Sequence, residues 1–155
     1  MDRKDPSITA ELSKSIGTKL NEFGKVHAMW ILNDKGGMTS QMLLALLDDP
    51  SPNIREQAIK LSEKSLSNSD PLVRKLLAMK NDENSKVRYQ LLLTLGELDS
   101  DVSGNIRTEM IFNDITNEWM QYAALSAKQI DLAQLFSTST KEFARKESPH
   151  NALFL

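Results

Sequence analysis

The sequence predicts an all-α chain, an α–α superhelix of about four stacked helical pairs with no sheet. Three observations carry that prediction. The stretch Asp49-Pro50-Ser51-Pro52-Asn53-Ile54-Arg55-Glu56-Gln57-Ala58 lines up with Asp82-Glu83-Asn84-Ser85-Lys86-Val87-Arg88-Tyr89-Gln90-Leu91 at an offset of 33 residues. The preceding Leu43-Leu44-Ala45-Leu46 and Leu76-Leu77-Ala78-Met79 match at the same offset. Nowhere do Val, Ile and Thr alternate with polar residues over a useful length, so no strand pattern competes. A fixed period of this size, with two apolar runs parted by a short polar break, marks a helical solenoid. Each pair in such a stack hides its apolar face only by packing on the next.

The elements follow in order. From Ser7, the residues Leu12, Ile16, Leu20 and Phe23 recur every three or four positions and predict an amphipathic helix, which Gly24 breaks. A more apolar helix over 26–32 is closed by Asn33-Asp34-Lys35-Gly36-Gly37. Thr39 or Ser40 caps the next helix, which runs to about Leu47. Pro52 suits the first turn of a helix that carries Ile54, Ala58 and Leu61 to about Leu66. After the break at Ser67-Asn68-Ser69-Asp70-Pro71, helices are predicted over 72–79 and 87–95. A third unit places Ile106, Met110 and Ile111 on one helix and Trp119 to about Leu132 on its partner, with Trp119 aligned to Val87 at a spacing of 32. A final helix is predicted at about 140–146. The repeats thus run roughly 7–35, 39–67, 70–98 and 101–132, with a partial unit at 139–155, in one domain over 1–155. The turn Ser148-Pro149-His150-Asn151 leads into Ala152-Leu153-Phe154-Leu155, which reads as the first turn of a helix cut short. The expectation is a fragment of something longer.

Composition narrows the function classes. The chain has 155 residues, 40% hydrophobic and 26% charged, as a soluble globular domain does. A formal net charge of −2 provides no general attraction to nucleic acid or to an anionic membrane. The absence of cysteine excludes disulfides, thiolate metal sites, iron–sulfur clusters and covalent haem attachment within these residues, and leaves the compartment open. Met1-Asp2-Arg3-Lys4-Asp5-Pro6 has no apolar h-region and reads as no signal peptide. No run of about 18 apolar residues exists, so no membrane insertion by this segment is expected. His27 and His150 have no metal-ligand spacing, and the seven methionines read as core filler. No GxSxG, P-loop, Rossmann glycine pattern or paired His–Glu motif is present, so neither an enzyme nor a cofactor is expected.

Within each repeat an acid stands six residues before a base: Asp49 with Arg55, and Asp82 with Arg88. In the third unit the acid remains as Asp114 and the base position holds Met120; in the first the matching places are Asn21 and His27. An Asp at a helix N-terminus satisfies orphan N–H groups and meets the positive end of the dipole. An Arg in a first turn opposes the dipole and requires a carboxylate or carbonyl partner, which the adjacent Asp is expected to supply. All these carboxylates fall at repeat-equivalent turns, so they read as a structural ladder rather than as catalytic acids.

This Asp-turn-apolar-Arg pattern, followed by a small residue such as Ala58 or Ala123, resembles the HEAT repeat family. There the acid caps the second helix and joins a ladder with the arginines of neighbouring repeats. Three phrases resemble, in this order, the HEAT-repeat segment of large bacterial membrane-bound dehydrogenase and c-type cytochrome proteins: Val26-His27-Ala28-Met29-Trp30-Ile31-Leu32, Val87-Arg88-Tyr89-Gln90-Leu91-Leu92-Leu93-Thr94-Leu95-Gly96-Glu97-Leu98 and Asn117-Glu118-Trp119-Met120-Gln121-Tyr122-Ala123-Ala124-Leu125-Ser126. The resemblance covers roughly residues 20–135. It implies a spacer and docking surface between redox modules, in a periplasmic or cell-surface protein. The propeller and haem motif of such proteins are not in this sequence, so no catalytic residue carries over.

A helical wheel with Ile54, Val87 and Trp119 at zero separates two arcs on the second helices. The inward arc holds Ala58 and Leu61, then Leu91, Thr94 and Leu98, then Ala123, Ser126 and Ile130. The opposite arc holds Glu56, Gln57, Lys60 and Lys64, then Tyr89, Gln90, Leu93 and Glu97, then Gln121, Tyr122, Leu125 and Gln129. By analogy with HEAT solenoids this arc lines the concave face, and Leu32 shares a lane with Lys60, Leu93 and Leu125. Tyr89, Leu93, Tyr122 and Leu125 are expected to be adjacent and exposed, the composition of a protein-binding hot spot. The alternative is that curvature packs them on adjacent helices, and both readings stay open. Trp30 and Trp119 are expected in the core. The function expected is a non-catalytic scaffold or protein-interaction module, its partner a neighbouring domain or another protein. The alternative is a structural segment of a haem-containing, sugar-dehydrogenase-like oxidoreductase. Nucleic-acid binding is a third reading, which an arc of Gln, Tyr, Leu and Glu disfavours.

Overall fold

Eight α-helices and two short 3₁₀ turns, with no strand, make up the described residues of the computed structural model. Those residues are 6–18, 20–66, 71–98, 100–114 and 116–126, with Ser137 and Thr140. Apart from Thr140, the expected helix at 140–146 therefore lies outside them, as do Ile130, Gln129, His150, the apolar run 152–155 and the break at 67–70. No described helix is long and apolar enough to cross a membrane.

The helices are α1 (Pro6–Ser15), α2 (Glu22–Asp34), α3 (Ser40–Leu46), α4 (Pro52–Ser62), α5 (Pro71–Ala78), α6 (Ser85–Leu95), α7 (Ser100–Asn113) and α8 (Glu118–Leu125). They pack as the pairs α1–α2, α3–α4, α5–α6 and α7–α8. The second members touch in the series α2–α4–α6–α8, while α3 touches α5 and the 3₁₀ turn after α5 touches α7. The core runs between the two layers. Met29, Leu32, Leu43, Leu47, Ile54, Ile59, Leu72, Leu76, Leu91, Leu92, Leu95 and Met110 are its largest fully buried side chains. Each such aliphatic side chain contributes about 2 kcal/mol on burial, so the stack rather than any one helix holds the fold.

Local chemistry sets the helix ends. Side-chain oxygens of Asn21, Thr39, Asn84 and Asn117 accept backbone N–H groups of Gly24, Met42, Lys86 and Trp119. Ser51 caps α4 without that bond, because Pro52 removes one orphan N–H and the Ser51 hydroxyl donates to Glu22 instead, at 2.7 Å. Gly24 is not a break: it lies inside α2, and α1 ends at Ser15. A Cβ there would stand 3.2 Å from Asn21 Oδ1, the atom that caps the helix, so the glycine serves a close approach. At the other end of α2, Gly36 has φ +70°, and Gly36 N–H and Gly37 N–H donate to Asn33 O and Leu32 O. This is a Schellman closure, which a left-handed glycine completes.

A ladder of charges and an aromatic end

The caps set the register of the second helices. The residue three places after each cap of the last three is Ile54, Val87 and Met120, and all are buried. Met120 rather than Trp119 is thus the partner of Val87, and the spacing is 33, not 32. The cause is one extra residue. Asp49 and Asp82 stand two places before their caps, Ser51 and Asn84, whereas Asp114 stands three before Asn117. That insertion turns every later residue by about 100° relative to an alignment made on the acid. Trp119 consequently faces out, at 67% exposure, against the expectation of a core residue. Trp30 also lies out of the core; its indole N–H donates to Gln57 Oε1 at 3.0 Å, and Lys60 lies over its ring.

Counting from the caps corrects the lanes as well. Leu32 stands eleven places after Asn21, whereas Lys60 and Leu93 stand nine after their caps, and it is fully buried rather than a member of the exposed lane; on α8, Ser126 is exposed rather than inward. Ala58, Leu61, Leu91, Thr94, Leu98 and Ala123 are buried as expected. Gln90 is buried too, donating to Thr94 Oγ1 at 3.2 Å and to Glu63 Oε1, which the Thr94 hydroxyl also reaches at 2.8 Å.

The ladder joins successive pairs rather than partners within one pair. Arg55 Nε and Nη2 each donate to the Asp82 carboxylate at 2.9 Å, a bidentate fork. Arg88 repeats the fork on Asp114, at 2.6 and 3.0 Å. The acid of its own repeat meets each arginine only through the main chain: Arg55 Nη1 donates to Asp49 O at 3.0 Å, Arg88 Nη1 to Asp82 O at 2.7 Å. An Arg in the first turn leans along the stack and its fork reaches the next loop, while its third nitrogen stays over its own. In the first unit the base is Lys25, not His27; its ammonium reaches Asp49 at 2.8 Å. Counted from the cap, Lys25, Arg55, Arg88 and Gln121 are equivalent, so the ladder has no cation on α8. Asp49 and Asp82 also accept Ser51 N–H and Asn84 N–H at 2.9 Å, holding the loops before α4 and α6.

These contacts leave marks on the titrating groups. The fork on Asp82 holds the Arg55 guanidinium above its usual value, and the fork on Asp114 does the same for Arg88. Hydrogen bonds from Asn53 and Ser51 hold the Glu22 carboxyl below its usual range. Arg107, on the buried face of α7 with Ser103 and Met110, is pushed down by burial, and its Nε has no hydrogen-bond partner. An open pocket of about 250 Å³ lies over the ladder, lined by Lys80, Asp82, Glu83, Arg88, Asn113 and Asp114 among others. Its cations are committed: Arg88 to Asp114, and Lys80 to Glu109 at 2.6 Å. Among the described residues no group of three His, Asp or Glu is placed to hold a metal.

Of the four residues expected to form a patch, Tyr89 and Leu93 are half-buried against the core, while Tyr122 and Leu125 are exposed at 61% and 59%. Trp119 joins them, a residue assigned to the core by the one-residue slip. Its ring stands edge-on to Tyr89 at 6.4 Å and to Tyr122 at 6.2 Å. The exposed apolar surface of the second-helix layer is therefore gathered on α8, with a second group, Phe23, Trp30 and Ile31, on α2; α4 and α6 expose no large apolar side chain. Comparisons with protein-family models, curated proteins and solved structures find no match to this chain.

Proposed function

We propose that this chain is a HEAT-type helical-repeat module that binds protein rather than transforms a substrate. Trp119, Tyr122 and Leu125 form the contact surface. The observation that carries it is the edge-to-face row Tyr89–Trp119–Tyr122 continued by Leu125 on the last described helix. Tyrosine and tryptophan bring large contact area at low entropic cost and are the residues that dominate binding energy at interfaces. The repeated Arg55–Asp82 and Arg88–Asp114 forks support the HEAT-type reading, since they join each repeat to the next as the family's ladder does. They also keep the scaffold from rearranging when the surface is occupied.

A photo-crosslinking phenylalanine at Trp119, in the native polypeptide in its own cells, tests this. A discrete protein adduct that Leu125→Glu abolishes is the expected result. Labelling no stronger than from the same probe at the exposed Lys64, on the 3₁₀ turn that follows α4 and outside the row, would sink the reading.

A further inference from the structure

In the layer of second helices, large exposed apolar side chains stand on α2 and α8, the two outer members of the described series α2–α4–α6–α8, and two lanes of that layer differ between them. Counting from the caps separates the lanes. Eight places after the cap stand Met29, Ile59, Leu92 and Leu125. The first three are 0% exposed, because the following helix covers them; Leu125 is 59% exposed. Ten places after the cap stand Ile31, Leu61 and Thr94. Here the later two are buried, Thr94 with its hydroxyl donating to Glu63 at the end of the preceding repeat, while Ile31 is 44% exposed. Alongside Ile31, at helical spacing, lie the exposed Phe23 and His27. So α8 presents the forward half of a repeat-to-repeat interface, and α2 presents the backward half.

We propose that the occupant of both faces is a second copy of this chain, stacked head to tail with α8 of one copy against α2 of the next. The proposal rests on the protein-binding reading above and names the partner. Two polar positions fit it. Glu118 stands one place after its cap, where Glu22 stands in α2, and Glu22 accepts the hydroxyl of Ser51, the cap of the helix that follows, at 2.7 Å. Across the new contact Asn21, the cap of α2, offers Glu118 its side-chain amide from the equivalent place. The contact is heterologous, with different patches on the two copies, so it propagates into an open chain of copies unless an end is blocked.

Sedimentation velocity over a wide range of concentration tests the proposal on the whole 155-residue chain and two variants, Leu125→Glu and Ile31→Glu. Both substitutions fall on exposed positions, and circular dichroism with thermal melting verifies that each variant folds. The wild type is expected to gain mass with concentration, each variant alone to stay monomeric, and their equimolar mixture to form a two-chain particle and nothing larger. In that mixture each variant supplies the face that the other has lost. A wild type monomeric throughout overturns the proposal, in favour of residues 127–155 or another protein on α8. Association that survives Ile31→Glu overturns it in favour of a symmetric contact through α8. If the wild type is monomeric while the Trp119 probe still gives its adduct, the second-copy partner fails and the protein-binding reading stands.

Discussion

The α4–α6 contact and the α6–α8 contact occupy equivalent places in the stack and are built differently. Between α4 and α6, Arg55 forks onto Asp82 with both side chains about nine-tenths buried, and Glu63 is bridged by Thr94 and Gln90. Between α6 and α8, Arg88 forks onto Asp114 with both side chains 21% exposed, and the flank is the ring pair Tyr89–Trp119. One extra residue stands between Asp114 and its cap, while Met120 keeps the buried place of Ile54 and Val87, so the loop differs and the helix register does not. The lesson is that a repeat can keep both its ladder acid and its helix register while the spacing between them changes, because the loop takes up the difference.

Substitutions can break or sharpen that contrast. The largest effect is expected from Asp82→Ala, which strands the buried Arg55 guanidinium and costs about 3 kcal/mol in urea unfolding. A loss no greater than that of Asp114→Ala would erase the distinction between the two rungs. Next, Leu93→Ala, half-buried on the core, is expected to cost about 2 kcal/mol, and Leu125→Ala under about 0.5 kcal/mol. Equal losses would mean that α8 is covered as α6 is. Arg88→Met removes the more exposed fork and is expected to cost about 1 kcal/mol, through Asp114 rather than Asp82. Asp114→Asn reproducing that loss, with no further loss in the double variant, checks the partner.

Arg107→Met sharpens the contrast from the other direction. It replaces a buried, unpaired Nε by an apolar chain of similar volume, so a gain of about 1 kcal/mol and a higher Tm are expected. Destabilisation would show that the guanidinium has a partner. The smallest effect concerns pH. The Glu22 carboxyl is held below its usual value, so its contribution is present above the unfolded value near about 4.3 and is lost as pH falls through the folded one. Glu22→Gln is therefore expected to lower stability slightly at neutral pH and to leave it unchanged at acid pH, which flattens the acid limb. An unchanged acid limb would mean that the Ser51 and Asn53 bonds do not persist in solution.

Much of this architecture was legible in the residues themselves. Pro52, Gly36-Gly37 and Thr39 announce helix ends because their effects are local, acting over one turn of backbone, whereas the caps Asn21, Asn84 and Asn117 were not read and the repeat Asp residues were given that role instead. The period of 33 set the pairing of α3–α4 with α5–α6, and the apolar spacing marked Ala58, Leu61, Leu91 and Thr94 as inward. The identity of the ladder residues was legible as well, since Asp49, Asp82, Asp114, Arg55 and Arg88 all take part. Their partners were not: an arginine six residues from one acid and about 27 from another chooses by where the stack brings the second loop, which sequence distance does not encode. Lys25 was missed for the same reason, although its place four residues after Asn21 would have found it once the cap was known.

By itself, then, the sequence determined the all-helical content, several of the helix ends and many of the core and ladder residues, because turns and apolar periodicity are short-range physics. Only the tertiary structure decided which acid each arginine holds, that Trp119 faces out while Met120 faces in, and that Leu125 stands bare where Met29, Ile59 and Leu92 are covered. Those outcomes depend on the stacking of one pair on the next. There a one-residue difference in a loop separates the acid from the helix register, and a side chain is buried or bare according to what packs on it.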